Sequence, residues 1–147
     1  MAISVCEVQI TESSLKYLAP SWESNAGAVV DFWGVVRGSE GNREIKGIEY
    51  ESHRVMAEHQ LRLIAEKAAA DFRLGRVMII HRIGFIPVAE PSLFVRTQSP
   101  HRGAAFKASE WIIDELKRRV PIWKSPSFLM DSGTVPEILR IPAVTTK

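Results

Sequence analysis

The sequence holds one cysteine, Cys6, in 147 residues. A single thiol cannot close an intramolecular disulfide and is too few for a cysteine-based structural zinc site. Histidine offers little more, since His53, His59 and His81 share no metal-ligand spacing with acids or thiols. No metal and no cofactor are expected. No run of 18 apolar residues occurs, and the N-terminus lacks the basic-then-apolar order of a secretory signal. No membrane span is expected, and the cytoplasm is the expected compartment. Gly34, Gly38 and Gly41 are not followed by Gly-Lys-Ser/Thr, which excludes a phosphate loop, and no Gly-x-Ser-x-Gly elbow is present. Charge of one sign is scarce as well. Nineteen Lys and Arg against 17 Asp and Glu leave +2, too little for a nucleic-acid binder.

What is present describes one globular domain over residues 1–147, with 46% hydrophobic and 24% charged residues close to the usual balance. Residues 3–10, 27–36, 45–52, 77–83 and 93–98 have the β-prone runs or alternation of strands. Thr11-Glu12-Ser13-Ser14 has the composition of an N-cap and predicts a short helix ending before Pro20. Val55–Phe72 has helical periodicity, with Met56, Leu63, Ile64, Ala68 and Phe72 on the expected inner face and Gly75 as the stop. A second helix opens at Ser99-Pro100 and ends before Pro121, turning Ala105, Ser109, Ile112, Ile113 and Leu116 inward. The tail suggests an Asp131-Ser132-Gly133 turn between two short extended pieces. Strands and two long helices without strict alternation predict an α+β fold.

Positive charge concentrates locally. Between His101 and Lys124 six bases face three acids, an excess greater than that of the whole chain. His101 and Arg102 fall in the first turn of the second helix, where unsatisfied N–H groups receive phosphate or carboxylate. Cations there oppose the helix dipole by about 0.3–1 kcal/mol each, which favours a functional reason over plain solvation. Lys117 sits in the last turn, where a cation costs nothing, so a solvated helix end explains it equally well. Lys124 follows Trp123, and a lysine against an aromatic or in a dry pocket can serve as a base or nucleophile. Arg37 ends a strand before a glycine-containing loop and is a candidate anion contact, although a surface arginine is the commoner case. Fifteen steps of the chain lead from Arg102 to Lys117, which on one straight helix is about 22 Å. One small substrate cannot span that distance. Either there are two sites, or a dimer sets one chain's Arg102 beside the other's Lys117.

Three segments carry a resemblance: DFWGVVR at 31–37, EYESHRVMAEHQLRLIAEKA at 49–68, and the run from His81 to Lys124 with its PHR and LKRRVPIWK motifs. Over roughly residues 27–124 the chain resembles the MoaE family, the large catalytic subunits of molybdopterin synthase. The resemblance implies an α/β-hammerhead fold with an antiparallel sheet and two long helices. It implies a homodimer that becomes a heterotetramer by binding a small ubiquitin-like sulfur carrier (MoaD type) at each end. The implied reaction turns cyclic pyranopterin monophosphate into molybdopterin, two sulfurs coming from the carrier's C-terminal Gly-Gly thiocarboxylate. Lys117 and Lys124 take the positions of the family's catalytic lysines, and Arg37, His101 and Arg102 those that contact the substrate and its phosphate. A lone cysteine agrees with an external sulfur donor. Pro126 stands where many members carry glutamate, and the tail 126–147 diverges. That departure supports an alternative, a non-catalytic homologue that binds pterin phosphate or carrier without turnover. An anion-binding enzyme acting on nucleotides is a third, weaker possibility.

Overall fold

The structure is a computed structural model that describes residues 5–129 and 141–142. In chain order it contains β1 (Val5–Thr11), β2 (Ala28–Val35), β3 (Ser39–Glu40), β4 (Arg43–Ser52), α1 (Arg54–Asp71), β5 (Arg76–Arg82), β6 (Gly84–Pro87), β7 (Pro91–Ser99), α2 (Arg102–Arg119), β8 (Ile122–Phe128) and β9 (Ile141–Pro142). This is the expected α+β arrangement. One sheet runs β1-β5-β7-β2, and the second runs β3-β4-β8-β9 with β6 also paired to β4. All ladders are antiparallel except β1–β5, in which Val5 pairs with Arg76 and Thr11 with Arg82. β6 lies where the sequence suggests only a connection, and its Gly84–Pro87 turn residues still complete a four-residue ladder. The predicted Asp131–Gly133 turn lies outside the described residues.

Both helices pack on one face of the first sheet, around Ile10, Leu61, Val77, Ile79, Val95, Ile112 and Leu116. The buried side of α1 is Ala57, Leu61, Ile64, Ala65, Ala68 and Ala69. Met56 and Leu63, expected inside, are instead 47% exposed. The alanines displace them because small side chains let the helix approach the sheet closely, and a close approach leaves no room for larger ones. α1 also ends earlier than Gly75 would place it. Arg73, at φ 54°, takes the left-handed position past the helix, and Gly75 N–H goes on to bond Gln98 O at 2.9 Å.

α2 buries Ala105, Ser109, Ile112 and Leu116 as expected, while Ile113 is only half-buried. Its N-cap is His101 rather than Ser99, whose hydroxyl accepts from His101 N–H at 3.2 Å. The start of the helix is fixed from behind: a Cβ on Gly27 would collide with the Pro100 carbonyl, so only glycine fits there.

The helix expected after Thr11 does not form. Thr11 Oγ1 accepts from Ser13 N–H at 3.0 Å, an ST-turn that diverts the chain. The segment then lies over the sheet's other face, where Ser21 O accepts from buried Gln98 Nε2 at 3.2 Å. Tyr17 stacks 5.8 Å from the Arg96 guanidinium on that face. Arg96 is 2% exposed and forks onto its cross-strand neighbour Asp31 at 2.6 and 2.8 Å. Covering and pairing these buried polar groups outweighs the local preference for helix.

Candidate active site

Where the first sheet meets the second, a cavity of about 380 Å³ opens, and each of its charged residues arrives there for a local reason. β2 follows β7 in register up to Gly34–Leu93, then slips between Gly34 and Val35. This bulge re-aims the strand, and Arg37 emerges beyond it at the cavity edge. The chain then forms the β3–β4 hairpin through Gly41-Asn42, where Gly41 at φ 61° suits a two-residue turn. The hairpin brings Glu40 to the same cavity.

α2 ends over the cavity with Lys117, Arg118 and Arg119 in its last turn. Arg118 and Arg119 are both tied to Glu115, at 3.1 and 2.6 Å. Lys117 alone of the three lines the cavity, half-buried and without an acidic partner among the described residues. β8 supplies Lys124, which is 7% exposed. Trp123 is not what dries it, because successive strand residues point to opposite faces. Lys124 lies opposite Tyr50 of β4 instead, and its Nζ donates to Glu40 Oε1 at 3.2 Å. Pro126 continues β8 opposite Ile48, fully buried and still in register. Proline at this position therefore leaves Lys124 in the cavity.

Arg37, Lys117 and Lys124 are thus brought together. His101 and Arg102 are not: both are exposed at the far end of the unbroken helix α2, and neither lines this cavity. A larger cavity of about 560 Å³ lies near that end, bordered by Glu23, Arg73, Gln98 and Pro100. Among the described residues its borders bring one acid and one base but no cationic cluster, so the smaller cavity is the candidate site.

Glu40, Tyr50, His81 and Ser92 also line the site and were not singled out by sequence. The alternation of β4 held a clue to Tyr50, whereas nothing local marks Ser92. Burial pushes the Tyr50 hydroxyl's pKa up, and Glu40 adds to this, against the opposing effect of a hydrogen bond with Ser92. The phenol therefore stays protonated. His81 stands edge-on to Tyr50 with ring centroids 5.3 Å apart. Because a carbonyl can only accept, the 2.7 Å contact to Arg82 O assigns the proton to His81 Nδ1. Burial lowers the His81 pKa from 6.5 to about 4, so this ring is neutral at physiological pH.

That shift carries an expected result. Between pH 6.5 and about 4 the unfolded chain takes up a proton at His81 that the native chain refuses. Stability from this group is present above 6.5 and falls as pH drops toward 4, by at most about 1.4 kcal/mol per pH unit. His81→Asn retains a donor for Arg82 O but cannot titrate. Melting curves across this range should show a shallower acid decline for the variant, and an unchanged slope would refute the assignment.

Cys6 is remote from the cavity, and burial pushes its thiol pKa up, with Glu66 contributing in the same direction. It is a poor nucleophile in the wrong place. Among the described residues no group of three or more His, Cys, Asp or Glu could hold a metal ion. None of the described helices is long and apolar enough to cross a membrane.

Known proteins share this architecture and sequence. The chain is 38% identical over 110 residues to the molybdopterin synthase catalytic subunit of Oryza sativa subsp. indica, across 75% of this chain. It spans 56% of that relative's length. The crystal structure of molybdopterin synthase from Staphylococcus aureus superposes with a TM-score of 0.70 at 32% identity, covering 74% of this chain and 79% of that one. A complex of subunits 1 and 2 of the molybdopterin-converting factor from Helicobacter pylori superposes with a TM-score of 0.60 at 25% identity, covering 69% and 66%. The family model described as MoaE protein matches residues 6–119, a stretch that carries Arg37, His101, Arg102 and Lys117. With the fold and most of the sequence in agreement, this chain belongs to the MoaE family.

Proposed function

We propose that this chain is the catalytic subunit of a molybdopterin synthase. It acts as one domain over residues 1–147, in the cytoplasm, on cyclic pyranopterin monophosphate. The observation that carries this reading is the charge of the cavity, where, among the described residues, Arg37, Lys117 and Lys124 face a single carboxylate, Glu40. A site with two surplus positive charges suits a phosphorylated substrate and a thiocarboxylate donor. Arg37 holds substrate, with His101 and Arg102 of a second copy completing the phosphate grip. The carrier's thiocarboxylate sulfur bonds to the pterin side chain as oxygen leaves as water. A water molecule then attacks the resulting thioester carbonyl, leaving the sulfur on the pterin and the carrier as a carboxylate. Lys117 and Lys124 stabilise the oxyanion of that attack and move the protons. The two sulfurs come from a small ubiquitin-like carrier with a Gly-Gly thiocarboxylate, and the assembly is a heterotetramer around a homodimer. The Helicobacter pylori complex of two converting-factor subunits supports such a pairing.

Lys124 in its ion pair and Lys117 at the cavity argue against a chain that binds without turnover. Incubation of the chain with thiocarboxylated carrier and the cyclic pterin should give the dithiolene product, detected by mass spectrometry. Pterin binding without product would establish the non-catalytic homologue, and preference for nucleotides over the pterin would establish the third possibility.

A further inference from the structure

Glu40 carries no motif, yet among the described residues it is the one acid lining the cavity. Its Oε1 accepts from Lys124 Nζ at 3.2 Å, with the two side chains only 19% and 9% exposed. A charged amine this dry needs a counter-charge close by, and removing that partner leaves an uncompensated buried ion. The contact is also built to hold. Glu40 is paired to Arg43 across a tight turn, and Lys124 is paired to Tyr50 in a central ladder. Both ends of the ion pair are therefore anchored in backbone hydrogen bonds. A free lysine is rotamer-rich, and this arrangement restricts it to one place.

Lys117 differs in lacking any such partner among the described residues. Arg37 lies three residues before Glu40, on the same excursion of chain between β2 and β4. Among the described residues neither Arg37 nor Lys117 has an acidic partner, so an anion entering the cavity meets these two charges, whereas Lys124 is already paired with Glu40.

We propose that Glu40 is a positioning residue: it fixes the Lys124 ammonium on the cavity wall and leaves Lys117 as the lysine free to meet the anionic substrate. This rests on the synthase reading for its kinetic consequence, but the clamp itself does not depend on that reading. Glu40→Gln removes the charge and keeps the shape. It should lower kcat by about tenfold or more while KM for the pterin stays within about twofold, because Arg37 and Lys117 still bind it. Glu40→Asp keeps the charge one methylene short and should recover part of the loss, which a folding defect would not. In parallel, reductive methylation with formaldehyde, read at Lys124 by peptide mass mapping, should run severalfold faster in Glu40→Gln than in wild type. A kcat within twofold of wild type, or no recovery in Glu40→Asp, overturns the proposal. Should the wild type show no turnover, the synthase reading fails, and the labelling still decides the clamp: equal rates at Lys124 would overturn it.

Discussion

Lys117→Ala should lower molybdopterin formation by about a thousandfold or more while the protein stays folded. The magnitude follows from what the side chain does in the cavity. Preorganised positive charge at a developing oxyanion contributes roughly a hundred- to a thousandfold, and positioned proton transfer adds about as much again. Lys117 is the one cation of its turn that Glu115 does not occupy, so no neighbour substitutes for it. Its structural contribution is small. The lysine is half-buried at a helix C-terminus, where losing a cation costs about 0.3–1 kcal/mol. Thermal melting should therefore change little while steady-state turnover collapses. Lys117→Arg keeps charge without the compact ammonium and should fall between the two. Activity within tenfold of wild type in Lys117→Ala would remove this residue from the chemistry.

The second large effect is a recovery. Arg102→Ala and Lys117→Ala chains should each be inactive alone, yet a mixture that exchanges subunits should regain about a quarter of wild-type activity. α2 runs unbroken from Arg102 to Arg119, so the two residues stand about 22 Å apart in one chain. A site using both must draw them from two copies. In a mixed dimer one site inherits both substitutions and the other neither. Random exchange puts half of all dimers in that state, each with one working site of two, which gives the quarter. No recovery, with exchange demonstrated by native mass spectrometry, would mean that Arg102 and Lys117 serve separate sites.

The sequence disclosed more of this site than its plain composition suggested, and the reason is physical. Arg37 and Lys117 were candidates because each sits at the end of an element, past a strand and in a last helical turn, while the family resemblance singled them out from plain surface charge. Lys124 was noticed through Trp123, which the strand turns to the opposite face. Ends of elements are where side chains reach a ligand, and local pattern locates them. Glu40 and His81 were hidden because their importance comes from a partner far along the chain. Glu40 meets Lys124 only once β4 and β8 are zipped together. His81 is unusual only for its complete burial beside Tyr50. The same distinction explains the fold. Strand and helix periods held for most elements, whereas the helix after Thr11 lost to buried Arg96 and Gln98 on a strand that comes much later. The inner face of α1 was misplaced because size, not hydrophobicity alone, decides which residues a close helix–sheet contact admits.

The pairing of β1 with β5 has a consequence in time rather than in space. The partner of Val5 is Arg76, so the first strand has no place to dock until β2, β4, α1 and β5 have been made. During synthesis it must wait with both edges open, and refolding must close that long loop before the pairing is rewarded. While it waits, such a strand is open to another chain's edge, as β2 is until β7 is made.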